Sequence, residues 1–417
     1  MKIQVSIKKI IGYSLIYFMV IMNQSNISRI FLSEYLWVIF IIFGGMLFFF
    51  KCKIRDYCFV YLIVLLSAIV LVRLWAGGIG LRGWILWGSS ILVTAYVVKY
   101  NGKEFIFRYV KVVTFLAGIS LVIFTLCQVA PGIWQAIAIP FTSLDTVAEW
   151  SSSTEYTRSQ LEAYGLFTYT LSAVHPTRNT SIFTEPGIYQ MLLNSALFVL
   201  LFLNDELKIS RRQRSRYLLI LGLAILTAQS TTGYIGMIAI SLCYLISTKG
   251  ERHMRYNYLF ILFFLILALL MDYIINANES ILYSTLINKL FDTTGQFDLN
   301  ASSGEARTGT ILICLSSIAS NPLGVGYDAL LDMLDTENTG YVAASFVADA
   351  AALGIIPYFA VIYWLFSPII KSSLTSCGKI LLIFLYLNTT LAQSNTYYPA
   401  LICIHMYLYQ YLSLERE

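Results

Sequence analysis

Two short polar segments of this sequence carry side chains that suit the binding of a phosphate group. The first is Thr177 to Gly187 (TRNTSIFTEPG), which contains Arg178. The second is the turn Asn321 to Tyr327 (NPLGVGY), which follows Arg307 along the chain. A guanidinium group holds two oxygens of a phosphate at once and stays charged at physiological pH. We therefore predict that Arg178 and Arg307 neutralise a pyrophosphate; the alternative is that each is a solvated loop arginine or pairs with a nearby acid.

Glu185 is the side chain of the first segment that best suits a proton acceptor. It is followed by Pro186 and Gly187, which fix the entry of the chain into an apolar stretch. A carboxylate that is partly desolvated at a membrane boundary accepts a proton more readily, for example from a sugar hydroxyl. The alternative is that Glu185 caps the following helix, where the helix dipole favours a negative charge.

Five further residues are candidates for the same site. Tyr327 and Asp328 follow the two glycines of the second segment, although a Gly-x-Gly sequence is more often only a turn. Ser230 and Thr231 lie at the end of an apolar stretch, where they either bond neighbouring helices or line a polar cavity. Asp349 lies within an apolar stretch, where it either packs helices together or serves the site. Asp328 and Asp349 are the alternative proton acceptors to Glu185.

Composition indicates an integral membrane protein. The chain has 417 residues, of which 58% are hydrophobic and 12% are charged, and its mean hydropathy is +0.71. This is too little charge to cover a soluble surface. The net charge of +5 comes from short basic strips between apolar stretches, which indicates membrane topology and no nucleic-acid partner. The seven cysteines lack metal-binding spacing, so we predict neither a metal site nor a cofactor.

Twelve apolar stretches are long enough to be predicted as membrane-spanning helices of a single, all-α membrane domain, residues 1–417. They cover residues 6–22, 34–50, 57–75, 83–98, 107–128, 187–203, 217–231, 233–248, 257–276, 345–366, 379–393 and 396–413. A cytoplasmic N-terminus puts most Lys and Arg residues on the cytoplasmic side, with both termini there.

The same topology places two long loops, 129–186 and 277–344, on the periplasmic face. Loops of this length are usually functional or disordered. We expect short interfacial helices in both loops. One covers Ile311, Leu315 and Ile318 and ends at Asn321-Pro322, and the other is expected at 166–174.

Several common catalytic motifs are absent from the sequence. It contains no Walker A loop, no GxSxG, no HExxH and no DxD pair. Nucleotide hydrolysis, serine hydrolysis and metal-dependent transfer from nucleotide sugars therefore lack their usual groups.

The chain resembles bacterial O-antigen polymerases of the Wzy type, which are related to the O-antigen ligases. The resemblance covers about residues 170–365 and rests on the segment from Arg178 to Gly187, on Ser230 to Gly233, and on Arg307 followed by Asn321 to Gly326. The related ligases carry a histidine before the region of the tenth stretch. This chain has no histidine between residues 254 and 404, which favours a polymerase.

The resemblance implies a metal-independent glycosyltransferase of the inner (plasma) membrane that works in lipopolysaccharide biosynthesis. Such an enzyme joins oligosaccharide repeats carried on polyprenyl (undecaprenyl) pyrophosphate into O-antigen or a similar polysaccharide. Its expected partners are these lipid-linked oligosaccharides, the lipid bilayer and a protein that regulates chain length.

A mechanism follows from this substrate. Pyrophosphate is a good leaving group, so the protein needs to spread its developing charge and align a hydroxyl. The two arginines would spread the negative charge that develops on the pyrophosphate. A carboxylate would take the proton of the acceptor hydroxyl as it attacks the anomeric carbon from the opposite face, so the anomeric centre would invert. The alternative reading is a transporter or flippase of the same lipid-linked sugars, which should place charged groups near the bilayer midplane.

Overall fold

The computed structural model describes residues 7–28, 32–77, 81–132, 145–147, 160–162, 169, 171–172, 177–247, 252–276, 280, 283, 304–336, 342–394 and 396–413. This part of the chain is α-helical apart from one small sheet and the connections between elements. The rest of the two predicted loops lies outside the described residues.

Sixteen α-helices are present in the described residues. In chain order they are α1 (Ile7–Ile21), α2 (Leu36–Phe48), α3 (Lys53–Ala76), α4 (Leu81–Asn101), α5 (Phe105–Val129), α6 (Pro186–Phe202), α7 (Asn204–Leu207), α8 (Arg211–Ala228), α9 (Thr231–Ser247), α10 (Arg252–Asn276), α11 (Gly304–Ser320), α12 (Tyr327–Thr336), α13 (Ser345–Leu353), α14 (Ile355–Ile370), α15 (Ser376–Thr390) and α16 (Pro399–Tyr411). A 3₁₀ turn, Gly102–Glu104, joins α4 to α5.

Three short strands form an antiparallel sheet in the first predicted loop. They are β1 (Asp145–Val147), β2 (Gln160–Glu162) and β3 (Leu171–Ser172), in the order β1-β2-β3. The expectation of an interfacial helix at 166–174 is therefore wrong at its described centre, where Leu171 and Ser172 pair with β2. Threonine, tyrosine and valine around β3 favour an extended chain, which explains the difference.

Most of the predicted helical stretches are confirmed as helices. Eleven of the twelve each coincide with one helix. The helix expected around Ile311 to Ile318 is also confirmed as α11, and it ends at Ser320, before Asn321-Pro322. Proline disfavours a helical conformation of the residue before it, so the helix stops there.

The tenth predicted stretch is two helices rather than one. α13 and α14 meet at Gly354, which has a φ of +84°. A Cβ at this position would lie 2.5 Å from the backbone of Leu323, and the neighbouring Ile355 N–H donates to Pro322 O at 2.9 Å. The close approach of the two backbones requires glycine and interrupts the helix.

Two helices form the centre of the bundle. In α6 nearly every residue from Pro186 to Leu201 is buried, and in α16 every residue from Pro399 to Leu408 is buried. Both are apolar around most of their circumference, as expected for helices enclosed by others. α6 packs against α5, α8 and α9, while α16 packs against α4 and α14.

The outer helices expose large apolar side chains. Leu74 on α3 is 80% exposed, Ile275 on α10 is 73% exposed and Ile356 on α14 is 74% exposed. Two helical segments of the described residues, Lys53–Ala76 and Gly83–Val129, are long and apolar enough to cross a membrane. The second of these comprises most of α4 together with α5. Five further apolar helices have 10–17 residues.

The ends of the helices gather at two opposite ends of the bundle. At the first, Ser25 after α1 forms a β-bridge with Phe183 before α6. There the backbone N–H of Ala400 also donates to Asn23 Oδ1 at 2.9 Å. We call this the Arg178 end, because Arg178 lies in the connection that precedes α6.

At the other end, Ile54 N–H at the start of α3 donates to Gln410 Oε1 at 3.1 Å. The Tyr407 hydroxyl of α16 donates to Lys103 O at 3.4 Å in the turn between α4 and α5. α6 starts at the Arg178 end and crosses the bundle, so α8, which follows it, begins at this end with Arg211. We call this the basic end, because Lys53, Lys103 and Arg211 lie there.

Candidate functional site

Arg178 is held against α5 and the end of α8 by its neighbour Asn179. The fully buried Asn179 donates its backbone N–H to Thr227 O at 2.9 Å. Its side-chain Nδ2 donates to Ser120 Oγ and to Thr227 Oγ1, both at 3.1 Å. These three hydrogen bonds fix the backbone next to Arg178, so the position of its guanidinium group depends on α5 and α8 together.

The environment of Arg178 is partly desolvated. Burial lowers the pKa of its guanidinium group, and the nearby Tyr234 acts in the opposite direction. Arginine remains charged at neutral pH despite such a shift, because its usual pKa is far above 7. A half-buried cation binds an anion more strongly than a fully hydrated one, since less water has to be displaced.

The polar turn between α8 and α9 lies against the Arg178 segment. Gln229 ends α8 with a φ of +49°, and its Nε2 donates to Thr177 O at 3.0 Å. Ser230 is buried and Thr231, the first residue of α9, is half-buried. Of the predicted site residues, Arg178, Ser230 and Thr231 are thus brought together.

Glu185 is the N-cap residue of α6. Its backbone is extended, with a φ of −137° and a ψ of 144°, and Pro186 occupies the first helical position. The Glu185 side chain makes no capping hydrogen bond, but its place at the N-terminus of α6 agrees with the predicted alternative, in which the helix dipole favours its negative charge. Glu185 is half-buried and lies seven residues after Arg178 in the same connection.

Amide side chains form a polar layer beneath this connection. Gln190 Nε2 donates to Gly187 O at 2.9 Å, Asn194 Nδ2 donates to Gly233 O at 3.1 Å, and Asn388 Nδ2 donates to Thr232 O at 2.9 Å. The layer joins α6, α9 and α15. These three amides are not among the residues predicted from the sequence. Their position as polar residues inside apolar stretches is the sequence feature that indicates bonding between helices.

Gly187 allows Gln393 to reach the start of α6. A Cβ at position 187 would lie 2.1 Å from Gln393 Nε2, so a larger residue would displace the end of this side chain. The backbone of Gln393 in turn accepts a hydrogen bond from Ser345 N–H at 3.0 Å. The start of α13 is therefore linked through Gln393 to the connection that holds Glu185.

Arg307 lies on α11, which runs parallel to α13. Both helices end beside the turn at residues 321–326, and Cys314 of α11 interacts electrostatically with Asp349 of α13. Arg307 precedes Cys314 by two helical turns, about 10 Å along the axis. Because Ser345 is only about 6 Å from Asp349, this spacing places the half-buried Arg307 about one helical turn beyond the start of α13, on the side of the Arg178 end.

Tyr327 and Asp328 lie at the other end of α11. The helix separates them from Arg307 by about 20 Å at 1.5 Å per residue. Gly326 N–H donates to Ala352 O at 3.1 Å, so the glycine turn is used to pack against α13. The Tyr327 ring contacts Trp87 with 5.3 Å between centroids, while Asp328 is exposed at the start of α12.

Asp349 is enclosed in the bundle rather than open to either end. It is 3% exposed and lies near the Thr396 hydroxyl. Four tyrosines interact electrostatically with this carboxylate, namely Tyr61, Tyr358, Tyr386 and Tyr397. Within the described residues, Asp349 Oδ2 has no hydrogen-bond partner. Asp349 lies one helical turn from Ser345, about 6 Å along α13.

No protein-family model matches the chain, and neither a curated protein nor a solved structure matches it. In the part of the chain that is described, no group of three His, Cys, Asp or Glu side chains is placed to hold a metal ion. The class that the fold itself defines is an α-helical bundle with an apolar outer surface and a polar, arginine-containing site at one end.

Proposed function

We propose that this protein is a membrane glycosyltransferase that polymerises oligosaccharide repeats carried on polyprenyl pyrophosphate. The observation that carries the proposal is the hydrogen bond between the Arg178 segment and the turn at residues 229–232, with Gln393 beside Gly187, at one end of an apolar bundle. It provides a half-buried cation beside uncharged donors, which suits the pyrophosphate of a lipid.

The apolar outer surface supports an integral membrane location. Exposed side chains such as Leu74, Ile275 and Ile356 would be unfavourable in water and are expected against lipid. Lys53, Lys103 and Arg211 lie at the end opposite Arg178, which matches the excess of basic residues on the cytoplasmic side. The Arg178 end is then periplasmic, both termini are cytoplasmic, and the membrane is the bacterial inner membrane.

The proposed reaction uses the two arginines to stabilise the leaving group. The bond between the anomeric carbon of the donor and the pyrophosphate oxygen breaks, and negative charge develops on the pyrophosphate. Arg178 and Arg307 bind those oxygens, where fixed donors in a partly desolvated site stabilise the charge most strongly. The acceptor hydroxyl forms the new glycosidic bond from the opposite face, so the anomeric centre inverts.

Glu185 is the carboxylate that best fits the proton acceptor. It is half-buried in the same connection as Arg178, whereas Asp328 lies about 20 Å from Arg307 along α11. Asp349 is enclosed by tyrosines and would need an opening of the bundle to meet a sugar. Glu185 therefore takes the proton from the attacking hydroxyl, with Asp349 as the next candidate.

The test is the polysaccharide ladder of a host that displays the polymer. Arg178→Lys and Arg307→Lys each keep one positive charge but lose the bidentate geometry. Each is expected to collapse the long-chain ladder to a single repeat on the lipid core. Arg55→Lys, at the basic end, is the matched control and keeps the ladder. Normal ladders in both site variants at wild-type protein levels would refute the proposal.

A transporter or flippase of the same lipid-linked sugars is the second candidate. The enclosed Asp349 and the buried His405, whose two ring nitrogens lack hydrogen-bond partners among the described residues, favour it. Transporters place such ionisable groups inside the membrane. The same ladder separates the two functions, because a flippase defect removes even the single repeat.

A further inference from the structure

A long groove opens on the outer surface between α1, α5 and α8. Its volume is about 960 Å³, and its wall is almost entirely apolar, with Phe115, Ile119 and Ile220 among the lining residues. Phe115 is 66% exposed and Val122 is 61% exposed. None of the residues proposed for the glycosyl transfer lines the groove, whose far end, from Ile119 to Ile123, lies level with Ser120 and its contact with Asn179.

The groove has the length of a lipid tail. It follows α5 from Lys111 to Ile123, a distance of about 18 Å at 1.5 Å per residue. One leaflet of a bilayer has a hydrocarbon thickness of about 15 Å. At its middle lies Gly118, where a Cβ would meet no atom within 4 Å, so the groove is open there rather than filled by a neighbouring helix.

One end of the groove is positively charged. Lys111 lies there with Tyr13 and Tyr217, and the Lys9 ammonium group is close enough to interact with that of Lys111. Arg55–Asp56 and Arg108–Glu104 are ion pairs among the described residues, and neither of them includes Lys9 or Lys111. Neither Lys9 nor Lys111 therefore pairs with an acidic side chain of the described residues. The two ammonium groups repel each other.

We propose that the groove binds one anionic diacyl phospholipid, with its phosphate against Lys9 and Lys111 and one acyl chain along α5. An anion between the two lysines relieves their repulsion, and the apolar wall excludes water from the chain. The charged end lies at the basic end of the bundle, on the membrane face opposite Arg178. The proposal rests on the membrane location but not on the glycosyl transfer.

The test measures which lipid stays with the purified full-length protein. The protein is reconstituted in nanodiscs of equal phosphatidylglycerol and phosphatidylcholine, and the retained lipid is identified by native mass spectrometry. Wild-type protein is expected to retain one phosphatidylglycerol. Gly118→Leu fills the groove and is expected to lower this retention at least tenfold. Gly45→Leu, also in open space on a helix, is the control and keeps it.

A second variant tests the charge without filling the groove. Lys111→Gln is expected to lower the preference for phosphatidylglycerol over phosphatidylcholine about fivefold, the effect of about one surface charge. If a thermal denaturation assay shows that Gly118→Leu does not fold, the Lys111→Gln variant alone tests whether the groove binds an anionic lipid. Equal retention of the two lipids by the wild type, unchanged retention in folded Gly118→Leu, or an isoprenoid lipid in the groove would overturn the proposal. None of these readouts depends on polysaccharide synthesis.

Discussion

At the scale of single residues, the position of Arg178 depends on Asn179. The arginine stands out in the sequence because its charge and surroundings suggest phosphate binding. The buried asparagine beside it makes the hydrogen bonds to α5 and α8 that hold the segment in place. A substitution of Asn179 therefore tests the geometry of the site while leaving both arginines intact.

We predict that Asn179→Ala weakens both stability and function. Loss of the side-chain bonds leaves the buried Ser120 hydroxyl and the half-buried Thr227 hydroxyl with fewer partners, which costs about 1–3 kcal/mol. Unfolding in detergent and the polysaccharide ladder would measure the two effects. Asn276→Ala, whose side chain bonds Asp272 at an exposed position, should change stability by less than about 0.5 kcal/mol. Equal stability and equal ladders in the two variants would contradict this account.

The sequence identifies the charged members of the site better than its neutral ones. Arg178 and Glu185 are recognisable because their types imply a chemistry. Gln190, Asn388 and Gln393 are not, because an isolated amide in an apolar stretch does not reveal which helix it faces. Asn388, for example, donates to a backbone oxygen that is distant in sequence, Thr232 O, and only the folded arrangement of α6, α9 and α15 brings these amides together.

At the scale of helices and strands, hydrophobic length predicts most of the elements. Eleven apolar stretches coincide with single helices because burial of an apolar segment favours the conformation that satisfies its own backbone. The junction of α13 and α14 could not be predicted in this way. Gly354 takes its positive φ from contact with Leu323, about thirty residues earlier in the chain, and a contact of that range leaves no local pattern.

We predict that Gly354→Ala is strongly destabilising. Alanine is strained at a φ of +84°, and its Cβ would overlap the backbone of Leu323 at 2.5 Å. The expected loss of unfolding free energy is about 3 kcal/mol or more. Gly45→Ala, on α2 with no atom within 4 Å of its Cβ, should be neutral or stabilising. Comparable stability of the two variants in detergent unfolding would show that the junction does not depend on glycine.

At the scale of the whole molecule, the contacts at the two ends follow the alternation that the basic residues predict. The connection after α1 meets both the connection before α6 and the start of α16, and the start of α3 meets the end of α16 on the other side. Alternating ends agree with a multi-pass arrangement. The assignment of each end to one face of a membrane is a proposal that can be measured separately.

Cysteine labelling tests this assignment. Thr177→Cys lies at the Arg178 end and Ser373→Cys at the basic end, both at exposed positions, in a background where the seven native cysteines are replaced by serine or alanine. An impermeant maleimide should label position 177 in spheroplasts and position 373 only after lysis. The reverse pattern would place the proposed site in the cytoplasm, where periplasmic polymerisation could not occur.

The most direct test of the central claim is binding of a polyprenyl diphosphate to the purified protein. If Arg178 and Arg307 share one diphosphate, Arg178→Lys and Arg307→Lys should each weaken binding about tenfold, because lysine cannot hold two oxygens at once. Arg55→Lys should bind like the wild type. Weakening by only one of the two site variants, or by neither, would contradict the claim that both guanidinium groups act on the same ligand.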